Sequence, residues 1–208
     1  GMERVLAEKE AEAFLEQEGF PVVERFFVTT EKAAVHAARH LGYPVALKVS
    51  SPFILHKSDV GGVKIDLRSD EDVLAAFRQL IKIPKCKEVL VQPYNTGHLV
   101  LVGLQRDPTF GHVVAVGSGG IYTEMLQDVA FRVCPLSHHD AKTMVEELKL
   151  YPILQGVRGE QGVHLETLHR LLLQLSHLAL CYPSLRELDI NPVILSGDKV
   201  YIADARLV

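Results

Sequence analysis

The run His56-Lys57-Ser58-Asp59-Val60-Gly61-Gly62, with Lys48 a short distance upstream, gathers a dense set of reactive groups. It offers a nucleophilic imidazole, an ammonium, a hydroxyl, a carboxylate and two glycines whose backbone N–H groups can approach an anion closely. That inventory suits a phosphate. Residues 45–49 and 63–67 on either side are short, apolar or β-branched runs bounded by Pro, Ser and Gly, and are read as the strands that hold this loop. A second cluster, Gly117-Ser118-Gly119-Gly120, follows the strand predicted at 112–116. It reads equally as a phosphate cradle or as a tight turn.

The C-terminal stretch supplies oxygen ligands. Residues 187–195 and 200–206 alternate in hydrophobicity around Ser196-Gly197-Asp198-Lys199. A type II′ turn centred on Gly197-Asp198 sets Leu195 against Val200, Val193 against Ile202 and Asn191 against Asp204. Period-two alternation then puts Asp189, Asn191, Asp204 and Arg206 on one face of the hairpin. Asn191 and Asp204 opposite one another, beside Asp189, form half of a Mg²⁺ site, because that ion takes oxygen ligands and leaves its other positions to water and phosphate. A surface hairpin carrying an Asp189–Arg206 charge pair is the plainer alternative.

The remaining pattern is scaffold. Helical spacing runs from Val5 to a stop at Gly19, a strand follows over 21–28, and Thr29 or Thr30 caps a helix reaching Leu41 and Gly42. Ser69 with Asp72 opens a helix whose stripe is Val73, Leu74, Phe77, Leu80 and Ile81. Strands are expected at 88–92, ending at Pro93, and at 99–105, with the turn Arg106-Asp107-Pro108 leading to 112–116. Glu124, Asp128 and Arg132, spaced by four over 121–133, would form one charged helical stripe. Ser137 with Asp140 opens a helix to about Lys149, with His138 and His139 exposed in its first turn; 151–162 reads as loop; a long apolar helix covers 165–181, its His169 and His177 packed or surface residues rather than ligands.

Composition narrows the class. The 208 residues are 48% hydrophobic, enough to bury a core as one domain or two small lobes. The formal charge of -4 argues against a nucleic-acid binder, which needs a cationic face. Cys86, Cys134 and Cys181 are widely spaced and odd in number, signalling neither a disulfide framework nor a zinc site and pointing to an intracellular, cytoplasmic chain. No apolar run is long enough to span a membrane, so the chain reads as soluble and free of membrane.

Leu47-Lys48-Val49, Ser51-Pro52, the His56–Gly62 loop, Arg106-Asp107-Pro108 through Phe110-Gly111, Gly119-Gly120, Asp189-Ile190-Asn191-Pro192 and Asp204-Ala205-Arg206 together resemble the ATP-grasp domain of ADP-forming acyl-CoA synthetases. The likeness runs from about Val5 to Val208 and extends more distantly to succinyl-CoA synthetase. It implies an α+β ATP-grasp fold of two α/β lobes with the nucleotide cleft between them, the smaller over about 20–92 and the larger over about 93–208 with an N-terminal helix at 3–18, the whole 1–208 being one ATP-grasp domain.

By the same resemblance, Lys48, Gly61, Gly62, Gln92, Tyr94, Gly119 and Gly120 bind ATP or ADP, with the adenine near Gln92 to Tyr94. Asn191 and Asp204 hold Mg²⁺. His56, on a mobile loop, is the second phosphoryl carrier, receiving the group from a phosphohistidine on a CoA-binding α partner. Lys57, Ser58, Asp59 and Asp189 complete the catalytic set. An imidazole is a competent nucleophile near neutral pH, and phosphoryl transfer asks chiefly for positioning and charge neutralisation.

Two departures stand out. Leu99, after Gly97-His98, occupies the place of an expected Glu, and Pro93 replaces a frequent Glu at the hinge. The CoA-binding domain and its phosphohistidine are missing from this sequence, so the expected activity is that of one component: acyl-CoA, ADP and phosphate to acid, CoA and ATP with an α partner. The alternative is a non-catalytic, ligand-sensing ATP-grasp module of the kind fused to protein acetyltransferases. Another ATP-grasp carboxylate ligase is disfavoured by the HKSDVGG loop.

Overall fold

The computed structural model describes residues 8–54, 56–120, 127–157 and 162–208. The chain divides into two compact units, one made of the chain up to Val22 with Thr96–Val208, the other of Val23–Asn95. Helix α1 (Glu8–Gln17) opens the first of these.

The smaller unit contains β1 (Phe26–Val28), α2 (Glu31–Leu41), β2 (Val45–Ser50), β3 (Val63–Leu67), α3 (Asp70–Ile81) and β4 (Glu88–Pro93). Its sheet is antiparallel in the order β1-β4-β2-β3. Both helices start on a side-chain cap: Thr30 Oγ1 accepts from Ala33 N at 3.1 Å, and Ser69 Oγ from Asp72 N at 3.2 Å. Of the predicted α3 stripe, Val73, Phe77 and Leu80 are buried, joined by Ala76, against Val45, Leu47, Val49, Val89 and Val91 of one sheet face, while Leu74 and Ile81 are only half-buried. Burial of side chains such as Phe77 and Leu80 contributes about 1.5–3 kcal/mol each. Alternation forces Ala46, Lys48, Leu90 and Gln92 onto the opposite face.

The larger unit continues with β5 (His98–Asp107), β6 (Gly111–Ser118), β7 (Val129–Val133), α4 (His138–Glu146), α5 (Tyr151–Gln155), α6 (Leu165–Cys181), β8 (Glu187–Ser196), β9 (Lys199–Ile202) and β10 (Ala205–Leu207). The sheet order is β10-β8-β5-β6-β7, with β9 also on β8, and every ladder is antiparallel. Leu168, Leu171, Leu172, Leu175 and Leu178 of α6 pack with Val100, Val102, Leu104, Val114, Val116, Leu188 and Ile190, and α1 adds Ala11 and Leu15. No helix among the described residues is long and apolar enough to cross a membrane.

Several expectations change. The strand read at 21–28 forms only over Phe26–Val28, while Val22 makes a separate bridge to Ile202. The loop read at 151–162 contains helix α5, which begins with Pro152 in its first turn. Helix α4 has its Ser137–Asp140 capping box but stops at Glu146.

The charged stripe over 121–133 is corrected. Ile121 and Glu124 lie outside the described residues, but Val129–Val133 is a strand, Arg132 pairs with Glu147, and Asp128 is buried. Val-Ala-Phe-Arg-Val is rich in strand formers, and its alternation outweighs the fourfold spacing of charges.

Asp128 instead clamps the fold. Its carboxylate accepts from Ser118 Oγ at 2.9 Å, Lys149 N at 2.7 Å and Leu150 N at 2.9 Å, satisfying the backbone just before α5. Asp128→Ala strands these donors and is expected to cost about 3–5 kcal/mol, read from the urea midpoint; a loss under about 1 kcal/mol would show that water replaces the carboxylate freely.

Candidate functional site

In the smaller unit, Lys48 and Gln92 share the sheet face turned away from α2 and α3. Lys48 stands opposite Leu90, and Gln92 opposite Ala46. Lys48 is half-buried on β2, and among the described residues no carboxylate pairs with its ammonium. Gln92 is 3% exposed, and its Oε1 accepts no hydrogen bond from the described residues. A buried acceptor without a donor costs about 1–3 kcal/mol, so it is suited to an incoming N–H such as a purine amine. Tyr94, half-buried just beyond β4, uses its backbone N–H on Pro44 O at 3.0 Å.

The loop between β2 and β3 is built by its own backbone. Lys57–Val60 form a short 3-10 turn preceded by His56. Gly61 closes it at φ 68, a left-handed conformation open to glycine at little cost, and donates to Ser58 O; Gly62 N donates to Lys57 O at 2.7 Å. These N–H groups, read in the sequence as aimed at a phosphate, serve the turn in this conformation. His56, Ser58 and Asp59 are exposed and Lys57 is half-buried. Among the described residues the exposed His56 side chain makes no capping bond to the turn.

In the larger unit, the hairpin register follows the expected line, with Val193 against Ile202 and Leu195 against Val200. Gly197 alone of the central pair has positive φ, at 59, as a II′ turn requires. Beyond β9 the chain leaves strand geometry at Ala203 and Asp204, yet Asn191 N donates to Asp204 O at 3.2 Å, and β10 resumes with Arg206 against Asp189.

Between Val100 opposite Val193 and Val102 opposite Ile190, two residues of β8 face one of β5. This bulge absorbs Pro192, which lacks an N–H for an interior ladder. Asn191 Oδ1 accepts from Gly120 N at 3.0 Å. Gly119 N donates to Leu99 O at 3.0 Å, and a Cβ at Gly119 would lie 2.6 Å from the Val100 carbonyl carbon, so close backbone approach explains that glycine. The second glycine cluster therefore locks to β5 and to Asn191. Leu99, 39% exposed, flanks it.

The donor set suits Mg²⁺. Asn191 Oδ1 and the Asp204 carboxylate are oxygen donors on adjacent backbone, and an amide oxygen already accepting one bond retains a second lone pair. Sequence reading missed Glu8 and Glu12, whose carboxylate oxygens lie with one of Asp204 within 4.8 Å of each other. Their i, i+4 spacing on α1 was the available signal for a shared face.

Glu187 was missed as well. Two residues from Asp189, it stands on the same strand face and crowds that carboxyl. Desolvation of the Asp189 carboxyl, then hydrogen bonding with Glu187 and its charge, push Asp189 up to about 6, with Arg206 opposing only in part. Because the folded-state value is raised, the associated stabilisation is complete below the ordinary carboxylate range and is lost as pH rises through about 6. Asp189→Asn, which mimics the protonated form, is expected to stabilise the chain above about pH 7 and to leave it unchanged near about pH 4. Carboxyl-carbon NMR should give an Asp189 midpoint of about 6; a midpoint in the ordinary carboxylate range would show that neither desolvation nor Glu187 perturbs this carboxyl.

An antiparallel unit presenting Lys48 and a buried free acceptor, and a second antiparallel unit ending in an Asn-Asp oxygen pair, are features of an ATP-grasp protein. The model for the ATP-grasp domain matches residues 1–208, and the chain belongs to that family. It is 40% identical to the β subunit of ADP-forming acetate–CoA ligase I from Pyrococcus furiosus, over 99% of this chain and 92% of that subunit. It is also 40% identical to ADP-forming acetate–CoA ligase II from Archaeoglobus fulgidus, where 98% of the chain covers 30% of the longer relative. Among solved structures, acetyl-coenzyme A synthetase 1 of Ca. Korarchaeum cryptofilum with coenzyme A and Mg-AMPPCP, its phosphohistidine segment pointing towards the nucleotide-binding site, is 40% identical. It superposes with TM-score 0.86 over 98% of this chain and 92% of that one.

Proposed function

We propose that this chain is the nucleotide-binding β component of an ADP-forming acyl-CoA synthetase, working in the cytoplasm with a CoA-binding α subunit. The whole reaction takes acyl-CoA, ADP and phosphate to acid, CoA and ATP. The carrying observation is that half-buried Lys48 and the Gln92 acceptor, undonated among the described residues, share one sheet face. These groups suit the phosphates and the adenine of a nucleotide, and Tyr94 lies two residues further along the same chain segment.

The proposed chemistry of this component is a phosphoryl relay. A ring nitrogen of neutral His56 attacks phosphorus on the α subunit's phosphohistidine; a new N–P bond forms as the old one breaks. A terminal phosphate oxygen of ADP then displaces the group from His56, making the O–P bond of ATP and returning a neutral imidazole. Lys57, Ser58 and Asp59 orient the exposed turn, and Gly61 and Gly62 shape it. Asn191 and Asp204 hold Mg²⁺, which when bound offsets charge on the phosphates. Asp189 completes the polar face beside them.

Calorimetry with Mg-ATP, paired with an assay in which a CoA-binding α subunit is added, tests this reading. Nucleotide binding by the chain alone, weakened at least about tenfold in Lys48→Ala, and ATP formation only in the presence of the α subunit are expected. Binding without any complementation by α subunits would point instead to a ligand-sensing module. No nucleotide binding would reject both.

A further inference from the structure

Outside the groups assigned above, one cluster brings together three side chains with metal-ligand chemistry. His138 is the first residue of α4, and Glu166 and His169 lie three apart on one face of the first turns of α6. His138 Nε2 is 3.1 Å from Glu166 Oε1, and His169 Nδ1 is 3.4 Å from Glu166 Oε2. The two imidazoles meet edge to face at 5.7 Å, and one ligand atom from each of the three residues lies within 4.8 Å of the others.

These spacings fit a tetrahedral ion. Ligands 2.0–2.1 Å from Zn²⁺ stand roughly 3.4 Å apart, and Glu166 Oε2 already lies 3.3 Å from His138 Nε2 and 3.4 Å from His169 Nδ1. The positions are also pre-set. His169 is 7% exposed and packed within α6, while the Ser137–Asp140 capping box fixes the first turn that carries His138. The hydrogen bond from His138 first, and then that from His169, holds the Glu166 carboxyl below the ordinary carboxylate range, in the ionised form that ligates. His138 and Glu166 face solvent, leaving room for water as a fourth ligand.

We propose that His138, Glu166 and His169 bind one divalent transition-metal ion of the Zn²⁺ class, joining the start of α4 to the start of α6. The two imidazole nitrogens are borderline donors that, beside one carboxylate, select Zn²⁺ or Co²⁺ over Mg²⁺, so this site is chemically separate from the all-oxygen pair Asn191 and Asp204.

The test uses the tag-free chain without nucleotide. Titration with Co²⁺ should give the visible bands of a tetrahedral N,O site at one equivalent, displaced by Zn²⁺. Zn²⁺ at a hundredfold excess over its Kd should raise Tm by roughly 5 °C or more. His138→Ala and Glu166→Gln, both at exposed positions, should each weaken Co²⁺ binding at least tenfold and abolish the Tm shift. His177→Ala should change neither; it removes the other histidine pair on α6, His177 beside Cys181 at 3.5 Å. Absence of Co²⁺ bands in the unsubstituted chain, bands that survive in His138→Ala, or bands lost in His177→Ala would overturn the proposal.

Discussion

His56→Ala is expected to lower acyl-CoA-dependent ATP formation, assayed with an α subunit, by at least about 10³-fold, because no neighbouring group in the turn can carry phosphoryl as an imidazole does. Its unfolding free energy should change by less than about 0.5 kcal/mol, since exposed positions without structural bonds tolerate substitution. His56 meets that description: it is exposed, it precedes a 3-10 turn closed by Asp59 N to His56 O at 3.2 Å, and among the described residues its side chain makes no capping bond. The backbone bond survives the substitution. A loss of activity accompanied by a loss of fold would mean that the imidazole is structural, and unchanged turnover would end the carrier role.

Asp204→Asn should carry the second large effect. The substitution preserves shape and the backbone link to Asn191 but removes one charge from the oxygen set near Glu8 and Glu12. The Mg²⁺ concentration for half-maximal turnover is expected to rise about 10²-fold, while the affinity for nucleotide measured without metal stays within about twofold. A variant with an unaltered Mg²⁺ requirement would move the metal away from Asp204. One with equal losses in both measurements would show that the residue holds the larger unit together instead.

The parts of this molecule visible in the sequence are those set by short-range rules. The β8–β9 register followed from turn length and period two, and it carried through to the Asn191–Asp204 opposition even though Ala203 and Asp204 leave the strand. The helix caps at Thr30, Ser69 and Ser137 were equally local.

What was missed depends on partners distant in sequence. Asp128 fitted a charged helical stripe until Lys149 and Leu150 claimed its carboxylate from 21 and 22 residues away. Pro192 forces a bulge only because β8 is interior, with β10 on one side and β5 on the other, a fact of topology rather than of local pattern. The glycine pairs illustrate the same limit from the other side. Their composition suggested phosphate cradles, but Gly61, Gly62, Gly119 and Gly120 donate to acceptors within their own units. His138 meets Glu166 across 28 residues, a distance at which two helical histidines read separately as surface or packing residues.

The most direct measurement is incubation of the chain alone with Mg²⁺ and ATP labelled at the γ-phosphate, followed by mapping of any protein-bound phosphate. The relay run in reverse predicts an acid-labile, base-stable label on His56, released as ATP when ADP is added and absent from His56→Ala. A chain that binds nucleotide yet acquires no such label, or that carries it undiminished in His56→Ala, would contradict the assignment of His56 as the phosphoryl carrier.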